Sequence, residues 1–596
     1  MKVVRRSELE QVALALRGHP FLGLDTETSG LRQGDKPFLV IVATEKETYL
    51  FNLQDYDNLE EDVVLTPEEV KTALEAAFTP TTTTFIQNAK FDLRMVRHLG
   101  ISVGAPWCTY SAERILKNNH FGATAYSLDA IAKRRFPETQ KIDLVKKYIT
   151  KHKLYDLVEV PGKAKRQKEM HFELVPHELM WSYAARDAEL HLAIGLQQMQ
   201  ELTEDESLQR VAKNEIRLTK TCYKMERQGI CIDKAYTARA LSHEMALVTN
   251  ARREFESLTG VPYVDSNKVF AEIFTGMGLE YPKTEKGNPS FNAESLEAFD
   301  NPAARAIKTI RNHEKRAGTY YSSFLYCEVD GKIHPDIRQA GTETGRFSYR
   351  DPNLQNVPKE EVAGLDFYVR KCFVPSPGNY LVFADYSQQE FRIMLDFAGE
   401  TKLIQQVNDG ADVHTATADL LGISRTQAKT INFGLLYGMG QAKLAHALGV
   451  SVKEAKDIKL DYFGKLPRVE RLIRSVIRTG ETRGHIFNWF GRKCHIAQRD
   501  FAYILPNHLI QSSGADVIKL AMNRIDDFLK DYKTTMLVQV HDEIILDVPP
   551  NEFHIIPEIK KIMENAYEPR NGMRLGCSVE HSAKSWGFED RIEGLP

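Results

Sequence analysis

The apolar positions fall into short runs that end in acids. Tyr380-Leu381-Val382-Phe383-Ala384 is an unbroken apolar stretch closed by Asp385, the pattern of a buried strand whose last residue is a carboxylate. Met536-Leu537-Val538-Gln539-Val540 and Ile544-Ile545-Leu546-Asp547-Val548 are two β-rich runs. Between them His541, Asp542 and Glu543 predict a tight turn. Another strand is predicted at Phe21-Leu22-Gly23-Leu24-Asp25-Thr26-Glu27, where alternation puts Asp25 and Glu27 on one face. An apolar run over 84–87 leads through Asn88 into a helix that carries Asp92, with Leu93, Val96 and Leu99 turned inward. Helical periodicity runs over 178–196, where Tyr183 and Asp187 are four apart and share a face. A long helix is expected over 235–258, with Leu241, Met245 and Leu247 toward a core. Arg425, Lys429, Phe433 and Tyr437 recur every four residues, a slowly drifting stripe of two cations and two aromatics.

Length changes the picture first. A chain of 596 residues makes several domains, at roughly 150 residues each. Its 42% hydrophobic and 27% charged residues are ordinary for a soluble globular protein. The net charge of −3 does not announce a nucleic-acid binder, but a basic groove can hide in such a balance. Seven cysteines without a CxxC pair argue against a zinc ribbon or a disulfide framework and fit a reducing cytoplasm. Charges interrupt the N-terminal apolar positions, so they make a poor signal peptide. No apolar run approaches the roughly 20 residues that span a bilayer, so no membrane association is expected.

If the strand ends meet, Asp385 and Asp542 form a paired-carboxylate site that calls for divalent cations. Taken singly, each acid is more often a solvated surface charge. The set Asp25 and Glu27 on a strand, Asp92 at a helix start, and Tyr183-x-x-x-Asp187 on a later helix resembles the three motifs of the DEDDy 3′-5′ exonucleases. That resemblance implies an RNase H-like α/β domain. It implies that Asp25, Glu27, Asp92 and Asp187 hold two divalent metals while Tyr183 orients a water. Two metals suit an in-line displacement at phosphorus. The basic stretch over 161–169 reads equally as a solvated loop or a DNA contact. The face carrying Arg311, Lys315 and Arg316 reads as an ordinary charged helix or one tracking a phosphate backbone.

Thr344-Gly345-Arg346-Phe347-Ser348 and Asp351-Pro352-Asn353-Leu354-Gln355-Asn356-Val357-Pro358 are similar to the TGRxSS and DPNLQNIP motifs of family A, the DNA polymerase I family. Asp385-Tyr386-Ser387-Gln388-Gln389-Glu390 resembles its motif A, the Arg425 to Tyr437 stripe with Gly434 and Gly438 its motif B, and the turn at 541–543 its motif C. Gln389 and Phe391 stand where Ile and Leu are usual, and Ser512-Ser513-Gly514 departs from the usual sequence after Gln511. The resemblance implies Asp385 and Asp542 as ligands bridging two Mg²⁺, with Glu543 a supporting acid. It implies Gln388, Glu390, His414, Arg425, Lys429, Phe433 and Tyr437 around a deoxynucleoside triphosphate, with Glu390 crowding the sugar 2′ position. It implies Arg346, Asn353, Gln355, Asn507, Gln511 and His541 as contacts to primer-template DNA, read from the minor groove where acceptors are nearly the same for all base pairs. Asp516 is read as structural.

The expected fold is multidomain, α/β and α+β. An RNase H-like exonuclease domain over 1–205 precedes a right-hand polymerase domain over 206–596, with a thumb (206–335), palm (336–400 and 510–596) and fingers (401–509). The expected function is template-directed DNA synthesis with 3′-5′ proofreading, in replication or repair. Two alternatives stay open: an exonuclease whose C-terminal half only binds DNA, and a polymerase preferring RNA templates or ribonucleotides. A monomer is expected, with processivity partners unknown. The stretch from Met225 to Arg346 is short for a large processivity insertion and there is no room for a 5′-nuclease domain, which leans toward a phage-type enzyme in its host's cytoplasm.

Overall fold

The computed structural model describes residues 1–594 except 58, 119–122, 139–143, 164, 285, 360–364 and 437, and no side chain at 123, 124, 436 or 589. Its first layer is a six-stranded sheet in the order Lys2–Val3, Thr48–Asn52, Pro37–Ala43, Phe21–Thr28, Thr83–Ile86, Ala105–Cys108. Phe21–Thr28 is central, antiparallel to Pro37–Ala43 and parallel to Thr83–Ile86. The 28-residue helix His177–Glu204 lies against this sheet. Gly23 permits the close approach: a Cβ there would stand 2.2 Å from the Ala188 carbonyl oxygen. The strand bearing Asp25 and the helix bearing Asp187 are thereby pressed together.

The second layer is a five-stranded antiparallel sheet, Thr535–Val540, Glu543–Val548, Tyr380–Tyr386, Cys577–Ser582, Ile592–Glu593. Tyr380–Tyr386 is central, and its apolar residues 381–384 are buried. Asp385 is the next-to-last residue of this strand, not the last, and faces Glu543 on one neighbour and Ser578 on the other. No helix among the described residues is long and apolar enough to cross a membrane. All seven cysteines are free.

Between the two layers runs the helix Glu206–Gln228, parted from His177–Glu204 by Asp205 alone. The Asp205 carboxylate caps it by accepting from the Ser207 N–H (3.1 Å). At mid-helix Glu215 is fully buried and meets Lys519 at 2.9 Å and Arg492 at 2.5 Å. Arg492 also bonds Asp516 at 2.6 Å. Two buried cations and two buried carboxylates neutralise one another, so Asp516 is a structural acid as expected. Near the C-terminal end, Glu226 takes Lys90 at 2.8 Å, and Lys90 reaches Asp336 at 3.1 Å.

One expectation about the helical middle needs correction, and of the two readings of its basic face the contacts favour the ordinary charged helix. Lys234–Thr259 is a helix, but Met245 is 57% exposed and Leu241 and Leu247 are only half-buried. The buried stripe is Thr237, Ala240, Glu244, Ala251 and Phe255. Glu244 is inside because Arg316 donates to it (2.9 Å) and His313 pairs with it (2.5 Å). Arg311 is likewise engaged by Asp265 (2.6 Å). The basic face therefore serves ion pairs within a small aromatic core around Phe255, Phe270, Phe274 and Phe291.

Removing one member of a buried ion network strands its partners, at about 3–5 kcal/mol. Glu215→Ala is expected to lower the unfolding midpoint strongly in thermal and urea melts. Glu215→Leu combined with Lys519→Met, which removes both charges, is expected to lose less than Glu215→Ala.

Candidate active sites

The turn joining Thr535–Val540 to Glu543–Val548 is His541-Asp542, with His541 at φ 58°. It abuts the end of Tyr380–Tyr386, where the Tyr386 N–H donates to the Asp542 carbonyl (3.2 Å). Asp385 and Asp542 are brought together and crowd each other. Burial and then Asp542 push the Asp385 carboxyl up to about 8, and burial raises Asp542 as well. Oδ1 of Asp385 is sealed from solvent and meets no hydrogen-bond partner among the described residues. Lys359 stands 3.9 Å from the other oxygen. Crowded hard-oxygen donors fit a divalent cation. Among the described residues no three His, Cys, Asp or Glu side chains are placed to hold an ion by themselves. Two carboxylates completed by water and substrate oxygens are the usual Mg²⁺ arrangement. Glu543 belongs to the strand rather than the turn, and its carboxylate engages Arg591 at 2.7 Å.

A cavity of ≈ 420 Å³ opens before the turn, walled by His541, Asp542, Gln388, Glu390, Arg346, Asn353, Gln355, Phe433 and Gln511. Arg346 follows Gly345, at φ 76°, and forms an ion pair with Glu390. Gln355 is committed to the turn: its Oε1 accepts from the His541 N–H (3.1 Å) and its Nε2 donates to the Gln539 carbonyl (2.7 Å). The structure thus gives Gln355 a positioning role that the motif alone did not announce.

His414, Arg425, Lys429 and Asn507 lie outside that wall. Arg425 and Lys429 are exposed on the helix Arg425–Leu436, whose buried side is Ala428, Ile431, Asn432 and Leu435. Arg425 grips Asp412 through two 3.0 Å bonds. Desolvation raises the Asp412 carboxyl, but Arg425 and the Thr415 N–H outweigh it and hold the group below the usual carboxylate range. Buried His414 accepts at Nδ1 from the Asn432 amide (3.1 Å), which leaves Nε2–H as its donor. Its ring lies 5.5 Å from that of Phe433. Tyr437 lies outside the described residues. Asn507 and Gln511 are one turn apart on Leu505–Phe528.

The two departures from the motif pattern touch each other. A Cβ at Gly514 would stand 2.7 Å from Oε1 of buried Gln389. The longer side chain at 389 is accommodated by the missing one at 514.

A second cavity, of ≈ 1060 Å³, is lined by Asp25, Glu27, Asp92, Tyr183 and Asp187 together. Asp92 is buried, accepts from the Thr26 hydroxyl (2.7 Å), and is pushed up to about 7 by that burial. The four acids share this cavity wall without any three of them closing on one ion, so a cation there would need water or substrate oxygens to complete its shell. His191 also lines this cavity, bonds the Leu24 carbonyl through Nδ1 (2.8 Å) and stands 4.0 Å from Asp25. It was missed in the sequence, although it continues the Tyr183-Asp187 stripe by one more helical turn.

Residues 236–587 match the sequence profile of DNA polymerase family A, and residues 2–204 that of 3′-5′ exonucleases. The chain belongs to DNA polymerase family A. An RNase H-like exonuclease domain precedes the family A polymerase domain. DNA polymerase I of Lactococcus lactis is 32% identical over 68% of the chain. DNA polymerase DpoZ of Salmonella phage PMBT28 is 27% identical over 97% of this family A chain and 99% of the phage protein. The chain spans about half the length of the bacterial relatives it matches, 49% for the Lactococcus protein. The solved POL domain of Pol1 from M. smegmatis, in complex with DNA primer-template and dNTP, has the same fold, with a TM-score of 0.80 at 23% identity over 98% of this chain and 99% of that one.

Asp385 and Asp92 have folded values above the ordinary carboxylate value, about 8 and about 7. Each is protonated in both states below about pH 4; from there up to those values only the unfolded chain ionises, so the weight against folding grows until about pH 7 and 8 and is constant above. The chelated protein is therefore expected to lose melting temperature from about pH 4 up to about pH 8 and to level off above it. A cation held by the deprotonated carboxylates would compete with their protons, so a Mg²⁺-dependent gain in melting temperature is expected to grow over the same window. A gain that is flat or falls with pH contradicts the assignment. Asp385→Asn is expected to raise the melting temperature of the chelated protein at pH 9. For the Gln389–Gly514 contact, Gly514→Ala is expected to be near neutral alone. In a Gln389→Ile background it stabilises by about 1 kcal/mol, because the helical gain is no longer offset by a clash.

Proposed function

We propose that the chain is a template-directed DNA polymerase with 3′-5′ proofreading, using two Mg²⁺ at each site. The observation that carries this reading is one wall that presents Asp542, Glu390, Arg346, Gln511 and Phe433 to one cavity. When bound, paired Mg²⁺ ions stabilise the attacking and leaving oxygens of an in-line displacement at phosphorus. Asp385 and Asp542 hold them, and the Gln355 clamp keeps the turn in place. Arg425, Lys429 and the Nε2–H of His414 take the triphosphate oxygens once Arg425 leaves Asp412. Phe433 packs on the nucleotide and Glu390 crowds the sugar 2′ position, excluding a ribose hydroxyl. Arg346, Gln511 and Asn353 face the minor groove of the newest base pairs, where a common acceptor pattern admits every correct pair.

At the second cavity Asp25, Glu27, Asp92 and Asp187 hold the ions and Tyr183 orients the attacking water against the terminal phosphodiester. On this reading the protein is a monomer acting on primer-template DNA in the cytoplasm, the host's if the chain is phage-borne.

Asp385→Ala is expected to lower primer extension by roughly 10³-fold or more while primer degradation persists. Asp25→Ala with Glu27→Ala is expected to give the converse. Extension that survives Asp385→Ala sinks the polymerase assignment, and degradation that survives the double variant sinks the exonuclease assignment. Glu390→Ala is expected to narrow the preference for deoxynucleotides over ribonucleotides roughly 10- to 100-fold in paired turnover assays.

A further inference from the structure

The basic stretch over 161–169 now has a place. Tyr155–Val158 and Gln167–Met170 form a two-stranded hairpin in the register Tyr155↔Met170 to Val158↔Gln167. A hairpin of this size is marginal by itself and persists only where it is docked. At its root Glu169 takes Arg32 at 3.1 Å, and Arg32 also donates to the Tyr326 hydroxyl (3.3 Å). At its tip Gly162, with φ 75°, runs past the backbone of Gly318 and Thr319, to which a Cβ would come within 3.8 Å. The hairpin therefore bridges the exonuclease layer and the segment Arg316–Cys327. Pro161, Lys163, Lys168 and Glu169 line the same cavity as the acids, and so do Thr319 and Tyr326. The hairpin and the segment Arg316–Cys327, in contact with each other, thus both contribute to the wall of the large cavity.

That wall is chemically suited to one strand of nucleic acid. Lys163 lines the cavity and makes no ion pair among the described residues. Lys168 is steadied over the Tyr155 ring at 4.0 Å. Phe91, Phe172 and Tyr326 add ring faces to the same cavity. Cations that follow phosphates, with aromatics on which bases stack, make up the general single-strand site.

We propose that the Tyr155–Met170 hairpin is a strand-selecting roof. Lys163 and Lys168 hold the phosphates of a single-stranded DNA 3′ end, and the Arg32 contacts to Glu169 and Tyr326 keep the passage closed to a duplex end. This rests on reading the cavity as a 3′-5′ exonuclease site.

The test compares degradation of a single-stranded oligonucleotide with that of the same strand in a fully matched duplex, at two salt concentrations. Lys163→Glu with Lys168→Glu is expected to raise the single-strand KM about ten-fold and to flatten its salt dependence by roughly one unit of log-log slope or more. Arg32→Ala is expected to raise duplex degradation relative to single-strand degradation several-fold. Unchanged KM and salt slope overturn the phosphate contacts, and an unchanged duplex-to-single-strand ratio overturns the roof. Primer extension by each variant reports that the protein is folded. A wild-type chain that degrades neither substrate, or a degrading Asp25→Ala/Glu27→Ala variant, overturns the exonuclease reading instead. Normal wild-type degradation with unaltered hairpin variants overturns the hairpin inference alone.

Discussion

Much of the molecule depends on one strand register. Tyr380–Tyr386 lies between two antiparallel neighbours, with Asp385 opposite Glu543 and Ser578. A slip of one residue would turn Asp385 to the other face and bury it among apolar side chains. The run Leu381 to Ala384 is fully buried against both neighbours, and a two-residue turn sets the pairing of one of those neighbours, Glu543–Val548, with Thr535–Val540. Everything around the turn reinforces it. Gln355 clamps the turn's backbone, Arg591 neutralises Glu543, and the Tyr386 N–H ties strand to turn. The fold thus holds two carboxyl groups side by side, an arrangement that disfavours their ionisation and raises both.

A second constraint holds the two layers to each other. The helix Glu206–Gln228 carries Glu215 into contact with Arg492 and Lys519, and Glu226 into contact with Lys90. Lys90 is two residues before Asp92, so the helix that carries Asp92 is pinned through it to Asp336 of the polymerase half. Buried ion pairs of this kind add little net stability. Their geometric demand is strict, however, since each charge must find its partner or be left stranded. They fix the distance between the two cavities.

The chemistry was more legible than the packing. Asp25, Glu27, Asp92, Tyr183 and Asp187 could be picked out in the sequence because their residue types and spacing follow a family motif, and the structure gathers all five around one cavity. Asp385 and Asp542 were legible for the same reason. Met245 was misread because helical spacing does not say which face is inward. The inward face was decided by Glu244 meeting Arg316 and His313 some 70 residues away, a pairing no local window contains. Gln355 and His191 show a different limit. Their partners are backbone groups, the Gln539 carbonyl and the Leu24 carbonyl, and a backbone acceptor leaves no trace in sequence. The basic stretch was ambiguous until the Gly162 and Arg32 contacts gave it a wall to close against.

The two cavities are not independent rooms. Asn353 lines both, and Tyr349 to Pro352 continue from it along the wall of the larger one. The segment is anchored from behind: buried Tyr349 accepts the Gln539 N–H at its hydroxyl (3.1 Å), within the strand that leads to the turn. One stretch of chain is therefore tied to the carboxylate turn on its inner side and forms part of the wall of the larger cavity. With the layers locked by buried ion pairs and the wall shared, large relative motion of the two sites would break several buried contacts at once. Movement of the DNA end disturbs far fewer. Under the proposed function, synthesis and removal are then alternatives set by where the primer end lies, with a frayed end able to enter the larger cavity and a paired end retained at Asp385 and Asp542.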